Sequence, residues 1–148
     1  MEELQDLYQE VILDHNRNPR NFGPLPGATH SMEGFNPLCG DRIHLHLKTN
    51  GNVIEEARFE GQGCAISTAS ASLMTEAIKG KRVEQAEQLF SEIHHLLTGD
   101  APADEDRLDK LIVLSGVRNF PTRVKCASLP WHALNATLTG EEDSVSTE

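Results

Sequence analysis

Leu4, Leu7, Tyr8, Val11 and Ile12 recur three and four positions apart, which predicts an amphipathic helix over residues 2–15. The pattern stops at NRNPRNFGPLPG (16–27), whose asparagines and three prolines read as an ordered loop with Arg17 and Arg20 solvated. The period then changes from 3.6 to two. In DRIHLHLKT (41–49), Ile43, Leu45 and Leu47 alternate with Arg42, His44, His46 and Lys48, so the strand has one buried and one wet face. Asn50-Gly51 is a hairpin turn signal, and Val53 to Phe59 is the returning strand. Residues 31–35 add an edge strand.

After Gly61 and Gly63 the texture turns to small residues. CAISTASASLMTEAIKGK (64–81) predicts a helix packed closely on a neighbour and ended by Gly80 at the C′ position. Val83, Ala86, Leu89, Phe90, Ile93 and Leu97 mark a second helix over 83–97. TGDAPADEDR (98–107) is an acidic turn, and Leu108 to Val117 a shorter helix stopped by Gly116 and Asn119. In FPTRVKCASLPWHALNATL (120–138), Pro130 either kinks a helix begun near Pro121 or opens a new one capped by Ser128. EEDSVSTE (141–148) reads as a disordered acidic tail, which leaves 1–140 as a single domain. The order of helix, hairpin and helices predicts an α+β fold: a small, about three-stranded antiparallel sheet with helices packed on one face.

Composition narrows the function. The 148 residues are 38% hydrophobic and 24% charged, with a net charge of −10. A chain of this length can bury about 68–70% of its unfolded surface. The negative surface repels phosphate backbones, so nucleic acid is not an expected partner. No apolar run approaches the ~20 residues of a membrane span. The acidic start MEELQDLYQE has no signal-peptide core, so a soluble, cytoplasmic protein is expected.

Three cysteines remain: Cys39, Cys64 and Cys126. Three cannot all pair within one chain, and a cytosolic setting disfavours disulfides. A buried thiol is more often core than ligand. These three, however, each sit at an element boundary: before the first long strand, between the second strand and the small-residue helix, and near the start of the last element. Their ends could converge at one tip. Asp41 lies two residues from Cys39, and residues i and i+2 of an extended segment point the same way. Three thiolates and one carboxylate suit zinc, with the carboxylate as the harder, more replaceable ligand. Such a site carries a formal charge of −2, and Arg42, Arg123 and Lys125 flank the ligands in sequence, where they would favour thiolates. Cys64 gains more if it starts a helix. The histidines carry less: His44 and His46 read as surface residues, and His94, His95 and His132 lack a partner at ligand spacing. Trp131 reads as a packing anchor.

The stretches LYQEVILDHNRNPRNFG, NPLCGDRI, ARFEGQGCAISTASASLM and FPTRVKCASLPWHAL resemble the IscU/NifU group of iron–sulfur cluster assembly proteins, in continuous order over about residues 4–138. Within that group the chain is most similar to the SufU type. Lys125 stands where IscU-type scaffolds have a histidine before the third cysteine. NFPTRVK replaces their Leu-Pro-Pro-Val-Lys chaperone motif, and TGDAPADEDRLDKL is a SufU-like insertion. The resemblance implies a three-stranded α+β fold, Cys39, Asp41, Cys64 and Cys126 as zinc ligands, and acceptance of persulfide sulfur from a PLP-dependent cysteine desulfurase of the SufS type, with other Suf assembly proteins as further partners. Cys39, on the loop side, is the expected acceptor, and Arg123 is expected to stabilise its thiolate or the complex. Two other readings stand beside this zinc-dependent sulfurtransferase. One is a scaffold building a transient [2Fe–2S] cluster on the same four residues; the other is a structural zinc module.

Overall fold

The computed structural model describes residues 2–36, 40–98, 109–117, 120–139 and 144–146, with side chains for 8–36, 40–98, 111–117 and 120–139. The alternating run forms the central strand β2 (Asp41–Asn50), with Asp41, Ile43, Leu45 and Leu47 buried and Arg42, His44 and Lys48 exposed. β1 (His30–Asn36) and β3 (Val53–Gln62) pair with it antiparallel on either side. The Asn50-Gly51 turn forms as expected, with Gly51 at φ 61°.

Both edges of this three-stranded sheet are covered, which removes unpaired backbone groups from solvent. Asn21, at φ 58°, accepts the Phe59 N–H through its carbonyl while the Gly23 N–H donates to the Phe59 carbonyl, so the proline loop runs along β3. On the other side, β4 (Ser144–Ser146) pairs in parallel with Glu33, Gly34 and Phe35 of β1. This corrects the expectation of a disordered tail at those three positions: local composition reads as solvated, but the open edge of β1 offers a hydrogen-bonding partner from afar.

The helices lie on the apolar face of the sheet. They are α1 (Glu2–Arg17), α2 (Ala65–Ile78), α3 (Val83–Thr98) and α4 (Pro121–Thr139). The small residues of α2 let it sit between neighbours: Ala69, Ser70, Ala71, Ser72 and Met74 have no exposed surface. Gly34 does the same for α4, since a Cβ there would press on Leu129 at 3.1 Å. Leu45, Leu47, Ile54, Leu73, Ile78 and Trp131 form the centre of the core. Each such side chain contributes about 1.5–3 kcal/mol on burial. Gly80, at φ 81°, ends α2 as its C′ residue.

Two helix expectations change. The expected short helix is a 3-10 segment, Asp109–Val117, and Gly116 lies inside it rather than stopping it. Leu108, Asn119 and nearly all of the acidic turn lie outside the described residues. Of the two alternatives at Pro130, the helix begun at Pro121 is the one that forms: α4 runs through Pro130 from Pro121, whose missing N–H costs nothing at the first position. Ser128 is not a cap; its hydroxyl donates to the Lys125 carbonyl at 3.2 Å. Beside the proline, Ser70 Oγ donates to the Ala127 carbonyl at 2.6 Å and accepts the Trp131 indole N–H at 3.1 Å. Thus a serine of α2 serves both a carbonyl in the disturbed turn and the buried indole.

A second buried network fixes the proline loop. Arg20 N–H donates to Ser72 Oγ at 2.8 Å, and the same hydroxyl lies 2.7 Å from Nδ1 of buried His15. Among the described residues, no helix is long and apolar enough to cross a membrane.

Candidate metal centre

One end of the sheet gathers the chemistry. Asp41 opens β2 opposite Asn36, the last residue of β1. Next to it, β3 ends at Gln62, and the chain turns through two glycines. At Gly61, φ is 147° and a Cβ would strike the Arg42 carbonyl; at Gly63 a Cβ would come 2.8 Å from Asp41 Oδ1. This glycine-flanked end of β3 delivers Cys64 to the N-cap of α2.

There the Cys64 N–H donates to Asp41 Oδ1 at 2.8 Å, its Sγ lies 3.8 Å from Asp41 Oδ2, and the Ser67 N–H donates to that Sγ at 3.4 Å. The helix start thus presents N–H groups and the positive end of its dipole to a sulfur, as expected for Cys64. Cys126 comes from the second turn of α4. It is buried, and its Sγ accepts a hydrogen bond from Asn36 Nδ2 at 3.7 Å. The carboxylate oxygen of Asp41 and the sulfurs of Cys64 and Cys126 all lie within 4.8 Å of one another.

This set fits zinc. Bond lengths of about 2.3 Å to sulfur and 2.0–2.2 Å to oxygen put tetrahedral ligand atoms roughly 3.5–3.8 Å apart. Small side-chain movements would bring the three atoms to that spacing. Asp41 has no exposed surface, and a buried carboxylate beside two thiols is an arrangement that a cation stabilises. Cys39, expected as the remaining ligand and as the sulfur acceptor, lies outside the described residues. The residues flanking its segment are close, since the Gly40 N–H donates to the Asn36 carbonyl at 2.8 Å.

The cations expected around the thiols are arranged differently. Arg42 is on the opposite face of the sheet from Asp41, with Nε 3.4 Å from Glu33 Oε1 and its guanidinium over the Phe35 ring. Adjacent residues of a strand point to opposite sides, so flanking a ligand in sequence put Arg42 away from it in space. Arg123 lies one helical turn before Cys126 at the exposed start of α4, its guanidinium 4.6 Å from the centroid of Phe120.

His44 is exposed near Glu33, but His46 is largely covered, between Ser31 at 2.9 Å and Glu60 at 2.9 Å. His94 and His132 pack around Phe90, and His94 also contacts His95. Burial, and secondarily the neighbouring His94, hold His132 below the ordinary imidazole range. Asn36 and Ser67 went unnoticed in the sequence. Their signal was position alone: one directly before Pro37 in the Cys39 box, the other three residues after Cys64.

A family model described as the NifU-like N-terminal domain matches residues 7–127. Over 139 residues the chain is 45% identical to the zinc-dependent sulfurtransferase SufU of Bacillus subtilis (strain 168), spanning 94% of each. Over 132 residues it is 43% identical to the iron–sulfur cluster assembly scaffold protein IscU of Thermotoga maritima, spanning 89% of this chain and 92% of that one. Among solved structures, a candidate iron–sulfur cluster assembly scaffold protein for the SUF system from Fervidobacterium islandicum AW-1 superposes with a TM-score of 0.84. It is 36% identical, covering 90% of this chain and 98% of that one.

Proposed function

The chain belongs to the NifU-like N-terminal domain family, and from that premise we propose that it is a zinc-dependent sulfurtransferase of iron–sulfur cluster assembly, taking persulfide sulfur from a PLP-dependent cysteine desulfurase of the SufS type in the cytoplasm. The observation that carries the reading is the convergence of Asp41, Cys64 and Cys126 at one end of the sheet, in a chain similar to a zinc-dependent sulfurtransferase. Asp41, Cys64 and Cys126 would hold the ion together with Cys39. When bound, zinc keeps thiols deprotonated and shielded at neutral pH.

In the transfer itself, the Cys39 thiolate attacks the terminal sulfur of the partner's cysteine persulfide. A new S–S bond forms on Cys39, the partner's S–S bond breaks, and the partner's cysteine leaves as a thiolate. No net oxidation occurs. Arg123 stands at the exposed start of α4 with its guanidinium held over Phe120, where it can meet an anionic sulfur or a carboxylate of the desulfurase. Cys64 and Cys126 are tied to helices and would serve as fixed ligands, whereas Cys39 falls in sequence between β1 and β2.

A second reading keeps the same residues and changes the cargo: a transient [2Fe–2S] cluster assembled for delivery. The similarity to a T. maritima scaffold favours it, as does the oxygen ligand, which makes a cluster labile. Anaerobic purification with metal analysis, followed by sulfide release with the cognate desulfurase, tests both. Stoichiometric zinc and a stimulated sulfide release support sulfur transfer. Iron with acid-labile sulfide and no stimulation would replace it with the scaffold.

A further inference from the structure

Each of the three converged side chains accepts a hydrogen bond from an N–H group. The Cys64 amide serves Asp41, the Ser67 amide serves Cys64, and Asn36 Nδ2 serves Cys126. The first two donors are backbone groups that come with the start of α2. The third is a side chain from a residue 90 positions away in sequence. Asn36 is fully buried, so its amide hydrogens need acceptors inside the protein. Its backbone is paired with Asp41, so one rung of the sheet carries both a ligand and the donor to another ligand.

Charge gives this donor its importance. A divalent ion held by thiolates and a carboxylate carries a negative charge, and Arg42, the cation next to Asp41 in sequence, faces away from it. Oriented N–H dipoles offset part of that charge inside the protein, and hydrogen bonds to charged acceptors are the stronger kind.

We propose that Asn36 is a positioning residue for Cys126, its side-chain amide aiming Sγ at Asp41 and Cys64 and withdrawing electron density from the sulfur once it is bound to metal. This rests on the zinc reading above. Partners of this type, one step behind the ligands, change metal affinity by about 10–100-fold when removed.

The test uses Asn36→Leu, which keeps the outline of the side chain and removes its donors. Zinc competition against a chromophoric chelator is expected to show an affinity lower by about 10–100-fold. With Co2+ in place of zinc, the d–d bands of a tetrahedral ion should persist, while the sulfur-to-cobalt charge-transfer band moves to longer wavelength. A merely structural role would lower the melting temperature without moving that band. An unmoved band with zinc affinity within twofold of wild type, in a folded variant, overturns the proposal. Should Asn36→Leu fail to fold, the wild-type chain decides: loaded with 113Cd2+, the Asn36 side-chain amide protons are expected to couple to the metal through the sulfur, and their lack of coupling overturns it. A wild-type chain with no sulfur-to-cobalt band refutes the zinc reading and this inference together. A normal wild-type band with no effect at Asn36 refutes the inference alone.

Discussion

Gly63 shows how one missing atom sets the geometry of the centre. A Cβ at this position would lie 2.5 Å from Ser67 Oγ and 2.8 Å from Asp41 Oδ1. The serine can rotate, but Asp41 is fully buried and bonded to the Cys64 N–H, so its carboxylate must shift. Gly63→Ala is therefore expected to lower zinc affinity by at least about tenfold, with a loss of about 1–3 kcal/mol in stability. Chelator competition and thermal melting measure the two effects, and an unchanged zinc affinity would show that Asp41 tolerates the displacement. Asp41, Cys64 and Cys126 were legible in the sequence because each stands where a periodic pattern begins or breaks. Asn36 was not, since a buried asparagine at the end of a strand has the same composition as a loop. Arg42 was misplaced by reading along the chain and not across the pleat.

At the scale of elements, α2 is tied to α4 next to its internal proline by one hydroxyl, that of Ser70. Ser70→Ala leaves the Trp131 indole N–H and the Ala127 carbonyl each short of this partner. The expected cost is about 1–3 kcal/mol, and each kcal/mol lowers the melting temperature of a chain this size by roughly 2–4 °C. Calorimetry would detect it; a loss within error would mean that water takes the place of the hydroxyl. Sequence periodicity found α4 but not this tie to α2, which joins Trp131 to a residue 61 positions away. It also read the segment before α4 only as a shorter helix, because apolar spacing over so few residues does not distinguish the α form from the tighter 3-10 form that is found.

The contact of α3 with α4 carries a pH dependence. Burial and His94 lower the pKa of His132 from 6.5. The unfolded chain therefore takes up a proton at a higher pH than the folded one, so stability falls as pH drops below about 6.5 and levels off below the folded-state value. His132→Gln should flatten that limb of a melting-temperature profile between about pH 7.5 and 5. A profile with the same slope in the variant would assign the dependence to other groups.

For the molecule as a whole, the core and the site are separable. Among the described residues, the buried cluster from Ile12 to Ala136 is built from the sheet face and the helices and does not include Cys126. Cys39→Ala is expected to leave far-UV circular dichroism and the melting of the metal-free chain within about 1 kcal/mol of wild type. If Cys39 is the acceptor as proposed, sulfide release with the desulfurase should fall to the rate of the partner alone, because the attacking thiolate is gone. Full stimulation by the folded variant would move the acceptor to Cys64 or Cys126, and outright unfolding would favour a structural zinc module. The architecture of sheet and helices was legible from two periods, two and 3.6. The pairing of Ser144–Ser146 with β1 was not, because it depends on an open edge more than 100 residues earlier in the chain.

The distance between Asn36 and Cys126 also has a meaning in time. Ribosomes add about 5–20 residues per second, so the 90 residues between them take about 5–20 s to make. In the later part of that interval, once Cys64 has been added, a nascent chain can bring Asp41 against Cys64 at the start of α2, but lacks the sulfur that α4 carries. A ribosome-bound chain ending before α4 has only part of the centre. With the ligand set proposed above, a firmly held ion would mark a chain whose synthesis has reached α4, and reactive thiols on unfinished chains would be left to the reducing capacity of their surroundings.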